Sequence, residues 1–131
     1  MRWILIACVA IVAFDAITAV AAKALNFGYT GFPWIIGSTA IYAFPAVMAA
    51  RDGQELRMSA LAGAAVALVD ATIGWAVGWI IGPGAPPPGS GSPEVLGLAV
   101  IAVVVVTVGA GIGLAAGLVT RRFARRSSAG S

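Results

Sequence analysis

The run WILIACVAIVAFDAITAVAA, residues 3–22, holds one charged side chain, Asp15, in twenty positions. A helix crosses a hydrocarbon core with ~20 residues at about 1.5 Å each, so this run is long enough to span. Residues 32–50, 58–81 and 95–119 read the same way. The expectation is an all-α polytopic integral membrane protein, four transmembrane helices in a single membrane domain over residues 1–131. Composition agrees: 60% of the chain is apolar and 10% charged, against about 45–50% and about 25% in soluble domains. Those values exclude an ordinary soluble fold, a disordered chain and a nucleic-acid-binding module. The net charge of +3 comes from eight bases against five acids, and the bases sit mainly at segment ends.

The connections are residues 26–31, 51–57 and 82–92. The last, GPGAPPPGSGS, carries no charge and suits a flexible, partly polyproline-II loop. It ends in Ser92-Pro93-Glu94, which reads as a helix start with Ser92 as N-cap, Pro93 as first helical residue and Glu94 on the positive end of the dipole. Residues 51–57, RDGQELR, form a solvated charged turn, and residues 121–131 a basic tail.

Orientation follows from the bases. With both termini cytoplasmic, Arg2, Arg51, Arg57, Arg121, Arg122, Arg125 and Arg126 share one side and only Lys23 lies on the other. Seven against one satisfies the positive-inside rule for a multi-pass protein of the cell (inner) membrane. The first run also imitates a cleavable signal, with Arg2 before it and Ala19-Val20-Ala21 near its end. Asp15 inside the run and its length favour a retained helix. Leu5-Ile6-Ala7-Cys8 mimics a lipoprotein box, but only seven residues precede the cysteine.

The missing residue types limit the chemistry. There is no histidine and one cysteine, Cys8. A histidine-ligated haem, a zinc site and a histidine-based nucleophile each lack a necessary part. Overlapping GxG triplets at residues 109–113 follow no strand and are taken as packing. No cofactor, no metal and no enzymatic activity are expected.

Asp15 and Asp70 are the informative residues. An acid at the middle of a spanning helix costs about 2.5–3.5 kcal/mol on insertion scales and marks function by default. Each lies 12 residues after the start of its run, at Trp3 and Met58. Both therefore sit roughly 18 Å along helices that run the same way. Arg2 and Arg57 are also 55 residues apart, as are Asp15 and Asp70. The shared offset suggests a duplicated helical hairpin with parallel repeats. On the second run the same depth falls near Thr39, with Tyr42 within a turn. The expected polar cluster is Asp15, Asp70, Thr39 and Tyr42, with Thr18 and Ser38 in a second rank. Two carboxyls in close quarters share protons and titrate as a unit, which suits a site where protons and a cation exchange. The competing reading makes them interhelical glue, although such hydrogen bonds average only ~0.6 kcal/mol in membranes.

Gly74, Gly78 and Gly82 recur every fourth residue, and so do Gly109, Gly113 and Gly117. Small-residue stripes let helix backbones approach closely. The first stripe is expected to meet Gly37 and Ser38, the second Ala7 and Ala10, unless a second copy of the chain covers them. Asp70 is expected to share a helical face with Gly63, Gly74 and Val77. Trp34, Trp75 and Trp79 read as an interfacial aromatic belt, or as an aromatic box for an organic cation. Pro33 starts the second helix, and Pro45 is expected to kink it.

The expected function is a small membrane transporter or channel, moving a small cationic solute with proton coupling through Asp15 and Asp70. The alternative is a non-catalytic scaffold or accessory subunit docking through its glycine stripes. The expected partners are the lipid bilayer, the solute, protons and a second copy or larger membrane assembly. Nucleic acid is not among them.

Overall fold

The computed structural model describes residues 2–25, 32–81 and 91–128, and every regular element among them is helical. α1 is Arg2–Leu25, α2 is Phe32–Arg51, α3 is Leu56–Ile81 and α4 is Ser92–Ser128. Three of these, α1, α3 and α4, are long and apolar enough to cross a membrane. The connections 26–31 and 82–90, and with them Gly82, lie outside the described residues.

The turn between α2 and α3 follows from one glycine. The Gln54 amide donates to the Ala49 carbonyl (3.0 Å) and the Gly53 amide to the Ala50 carbonyl (3.2 Å). Together these bonds form a Schellman motif, which needs a left-handed residue at Gly53; its φ is 74°. The Glu55–Arg57 ion pair beside it is solvent-exposed and adds little stability. The Arg121 guanidinium donates to the Gln54 carbonyl, which brings the late part of α4 to the α2–α3 turn. Arg51, Arg57 and Arg121 therefore gather at one end of the bundle, and Lys23 lies at the far end of α1.

α4 starts one residue earlier than Ser92 as N-cap would place it. The Val95 amide donates to the Gly91 carbonyl (3.3 Å), and Glu94 accepts from the Gly91 amide at 2.8 Å. Gly91 is the N-cap, and Glu94 closes half a capping box. At its other end α4 continues past the expected limit near residue 119 to Ser128. Arginine and alanine are good helix formers, and Arg125 and Arg126 in the last turn complement the helix dipole.

α2 and α3 are in contact with each other and with both flanking helices, whereas α1 and α4 do not touch. The core is made of Ala7, Ile11, Tyr42, Val66 and Ala67. Along α4 the only fully buried positions among the described residues are Gly109, Gly113 and Gly117. Their partner is α3, where Gly63 meets Gly109 and Gly113, and Ser59 meets Gly113 and Gly117. This corrects the expected pairing with Ala7 and Ala10, since α1 lies across the bundle and Ala10 is exposed. The Ser59 hydroxyl, fully buried at this junction, donates to the Ala46 carbonyl of α2 (3.2 Å).

α3 is not a regular α-helix throughout. Residues Asp70–Gly74 form a π turn, in which the Trp75 amide donates to the Asp70 carbonyl five residues back. The Thr72 hydroxyl donates to the Leu68 carbonyl (2.6 Å) across it. A π turn inserts one residue into the winding, rotating the later residues by roughly a quarter turn relative to an α-helix. A regular helix would put Gly63, Asp70, Gly74 and Val77 on one face. Instead Gly63 faces α4 and Gly74 faces Asp15 of α1.

A Cβ at Gly113 would collide with the Ser59 carbonyl, whereas one at Gly111 would meet nothing within 4 Å. Gly113→Val is therefore expected to cost about 1–3 kcal/mol of stability through overpacking. Gly111→Val on the same helix should change little. Thermal unfolding of both variants in detergent micelles measures the contrast.

Candidate functional site

Three helices bring their polar groups to one place. Tyr42 of α2 is buried, and its hydroxyl donates to Oδ2 of Asp70 on α3. The carboxyls of Asp15 on α1 and Asp70 lie side by side at Gly74, where an added Cβ would touch both. Protonating either carboxyl would let it donate to the other. Gly74 makes room for this contact, because a Cβ there would collide with the Asp15 carboxylate. The π turn is what aims Gly74 at α1.

The pair lies at the wall of a cavity of about 360 Å³. α1 contributes Phe14, Asp15 and Thr18, α2 contributes Trp34 and Ser38, and α4 contributes Leu98 and Ile101. From α3 come Asp70, Gly74, Trp75, Gly78 and Trp79. The cavity exists because two parts of the bundle separate. The segment Trp75–Ile81 packs on α1 and makes no contact with α4, whose grip on α3 is confined to the stretch before the π turn and the turn itself. Gly37 admits the Phe14 ring, which meets Trp34 edge-on at 6.2 Å between centroids.

The other expected site residues divide. The Thr18 hydroxyl donates to the Asp15 backbone carbonyl (2.9 Å) and that of Ser38 to the Trp34 carbonyl (2.7 Å), both at the cavity wall. Thr39 is half-buried and does not line the cavity, because Ser38 occupies the face of α2 that turns toward it. The stripe Gly74–Gly78 does not mesh with Gly37 and Ser38; the cavity separates Gly78 from Ser38, and Gly37 is taken by Phe14.

No protein-family model, curated protein or solved structure matches this chain. The site stands on its own geometry.

Residue-by-residue reading of the sequence missed Phe14, Leu98 and Ile101 as cavity walls. Phe14 carried a signal, being adjacent to Asp15; the two α4 residues carried none. The tryptophans were visible, but nothing in their spacing tells an interfacial belt from a cavity wall. The π turn had no sequence signature. Among the described residues no group of three or more histidine, cysteine or acidic side chains clusters as a metal site.

Tyr42→Phe removes the hydroxyl donor while keeping the ring, leaving an Asp70 oxygen short of a partner. Because membrane hydrogen bonds reach at most ~1.7 kcal/mol in such measurements, a loss of about 1 kcal/mol is expected. In a double-mutant cycle with Asp70→Ala, which removes the acceptor, the coupling energy should account for most of that loss.

Proposed function

We propose that this chain is a small membrane transporter or channel that moves a small cationic solute with proton coupling through Asp15 and Asp70. On this reading all four helices cross the bilayer, α2 included, with both termini on the cytoplasmic face. One observation carries it: two carboxyls from different helices meet at the wall of a cavity between those helices. An intramembrane acid that faces a cavity and pairs with another acid is the usual form of a proton or ion relay. The chemistry is simple exchange. A cation entering the cavity replaces a proton that leaves the pair, and a returning proton releases the cation.

The aromatic walls support a cationic rather than an anionic solute. The face of an indole ring is the negative side of its quadrupole and attracts cations. The position of the arginines supports the orientation, since Arg51, Arg57 and Arg121 lie at the α2–α3 turn, away from the cavity. The scaffold reading has less to work with. Gly109, Gly113 and Gly117 are spent on α3, Gly74 on Asp15, and Gly78 borders the cavity. As interhelical glue, the pair would also leave the cavity beside it unexplained.

The test uses the purified chain in lipid vesicles loaded with a pH-sensitive dye. An inward gradient of sodium, potassium or tetramethylammonium is expected to drive proton efflux for at least one of the three. Asp15→Asn and Asp70→Asn should each lower that flux at least tenfold while circular dichroism shows the helices intact. Retention of the wild-type rate by both variants would sink the proposal.

A further inference from the structure

The carboxyl pair says that the solute is a cation; the rest of the cavity says which kind. A bare metal ion gives up its hydration only for a shell of oxygens, six to eight for calcium and near-octahedral for magnesium. This cavity cannot supply such a shell from its side chains. Its side-chain oxygens belong to Asp15, Asp70, Thr18 and Ser38. Some of these are already engaged: Tyr42 donates to Asp70, and the Thr18 and Ser38 hydroxyls bond to backbone carbonyls. The remaining wall is carbon and indole.

Size points the same way. About 360 Å³ lies within the roughly 300–1,000 Å³ of small-molecule sites, which are mostly apolar with a few placed polar groups. A lone metal ion would leave most of that space unfilled. An organic cation has a weakly hydrated charge and a carbon body that needs apolar contact. Trp75 and Trp79 stand one turn apart on α3, and Trp34 lines the same cavity from α2. One-for-one exchange sets the valence, because a monocation replaces the single positive charge that leaves with a proton.

We propose that the cavity binds an organic monocation, its positive group against the Asp15–Asp70 pair and its apolar body between Trp34, Trp75 and Trp79. The inference rests on the carboxyl pair of the transport reading and adds the chemical class of the solute. Binding displaces a proton from the pair, so it weakens as the medium is acidified.

The probe is benzyltrimethylammonium, whose charge is fixed, so that any proton released on binding comes from the protein. It is titrated into the purified full chain in detergent micelles, with tryptophan fluorescence and proton release in weak buffer as readouts. Quenching with release of about one proton per bound cation is expected, with affinity at least tenfold above those of sodium, potassium and tetramethylammonium. Trp79→Leu and Trp75→Leu should each weaken binding several-fold, and Trp79→Phe less than Trp79→Leu. Asp15→Asn should abolish proton release with the helical signal retained.

Sodium or potassium releasing the proton while benzyltrimethylammonium does not would overturn the organic class and leave the transport reading standing. Absence of proton release with every cation would overturn both. Equal affinity in wild type and the two leucine variants would overturn the aromatic site even if the probe binds.

Discussion

The bundle is organised by the need to keep two carboxyl groups away from acyl chains. Asp15 and Asp70 each lie on a helix whose neighbouring positions are almost wholly apolar. Exposed to lipid, each would carry a penalty of a few kcal/mol. Brought together at Gly74, with Tyr42 bonded to Asp70, they form a polar row drawn from α1, α3 and α2. That row forces the three helices together midway along their length. The residues packed beside it are small or compact, Ala7, Ala67, Ile11 and Val66, which lets the backbones come close enough for short side chains to meet.

A second constraint shapes the space around that row. α4 is held to α3 through Gly109, Gly113 and Gly117, where no side chain intervenes. Before Gly109 the α4 sequence turns to branched side chains, with Val103 and Val104 exposed, and there is nothing left to bring the backbones together. At the same level the π turn swings Trp75–Ile81 toward α1. One helix is pinned at its later half and the other is rotated at its later half; since they run antiparallel, the two devices act at opposite ends of the same interface. The cavity is the space left between them.

How much of this was legible can be judged from particular residues. The depth of Asp15 and Asp70 could be counted along the chain, because helical rise is fixed and both helices start beside a basic residue. Tyr42 came within reach of them by the same counting. Counting put Thr39 at the level of the acids, but depth does not fix rotation about the helix axis, and Ser38 holds the cavity face instead. The glycine stripes were visible as stripes, yet their partner was not. Deciding that Gly113 meets Ser59 and Gly63 rather than Ala7 requires knowing which helices are neighbours, and single-helix periodicity carries no information on that. The π turn was invisible because it depends on tertiary demand: the carboxyl pair and Gly74 need a rotation that no local propensity announces.

The 55-residue offset acquires a physical meaning from the differences between its halves. α1 is α-helical from Arg2 to Leu25, while α3 contains the π turn. At the same offset, the position matching Tyr42 is Gly97, so only Asp70 receives a phenol. A symmetric carboxyl pair would have no preference about where its proton sits or which group moves when the proton leaves. Here the Tyr42 hydroxyl donates to Asp70. On the transport reading, loss of a proton from the pair leaves Asp70 held by Tyr42 and makes Asp15 the group whose position responds. Asp15 sits against Gly74, where a side chain is absent and the contact is at its tightest. On the transport reading, repulsion between two ionised groups is then relieved by moving α1 relative to the outer part of α3. These are two walls of the cavity, so on that reading an asymmetry of one hydroxyl couples protonation to its shape.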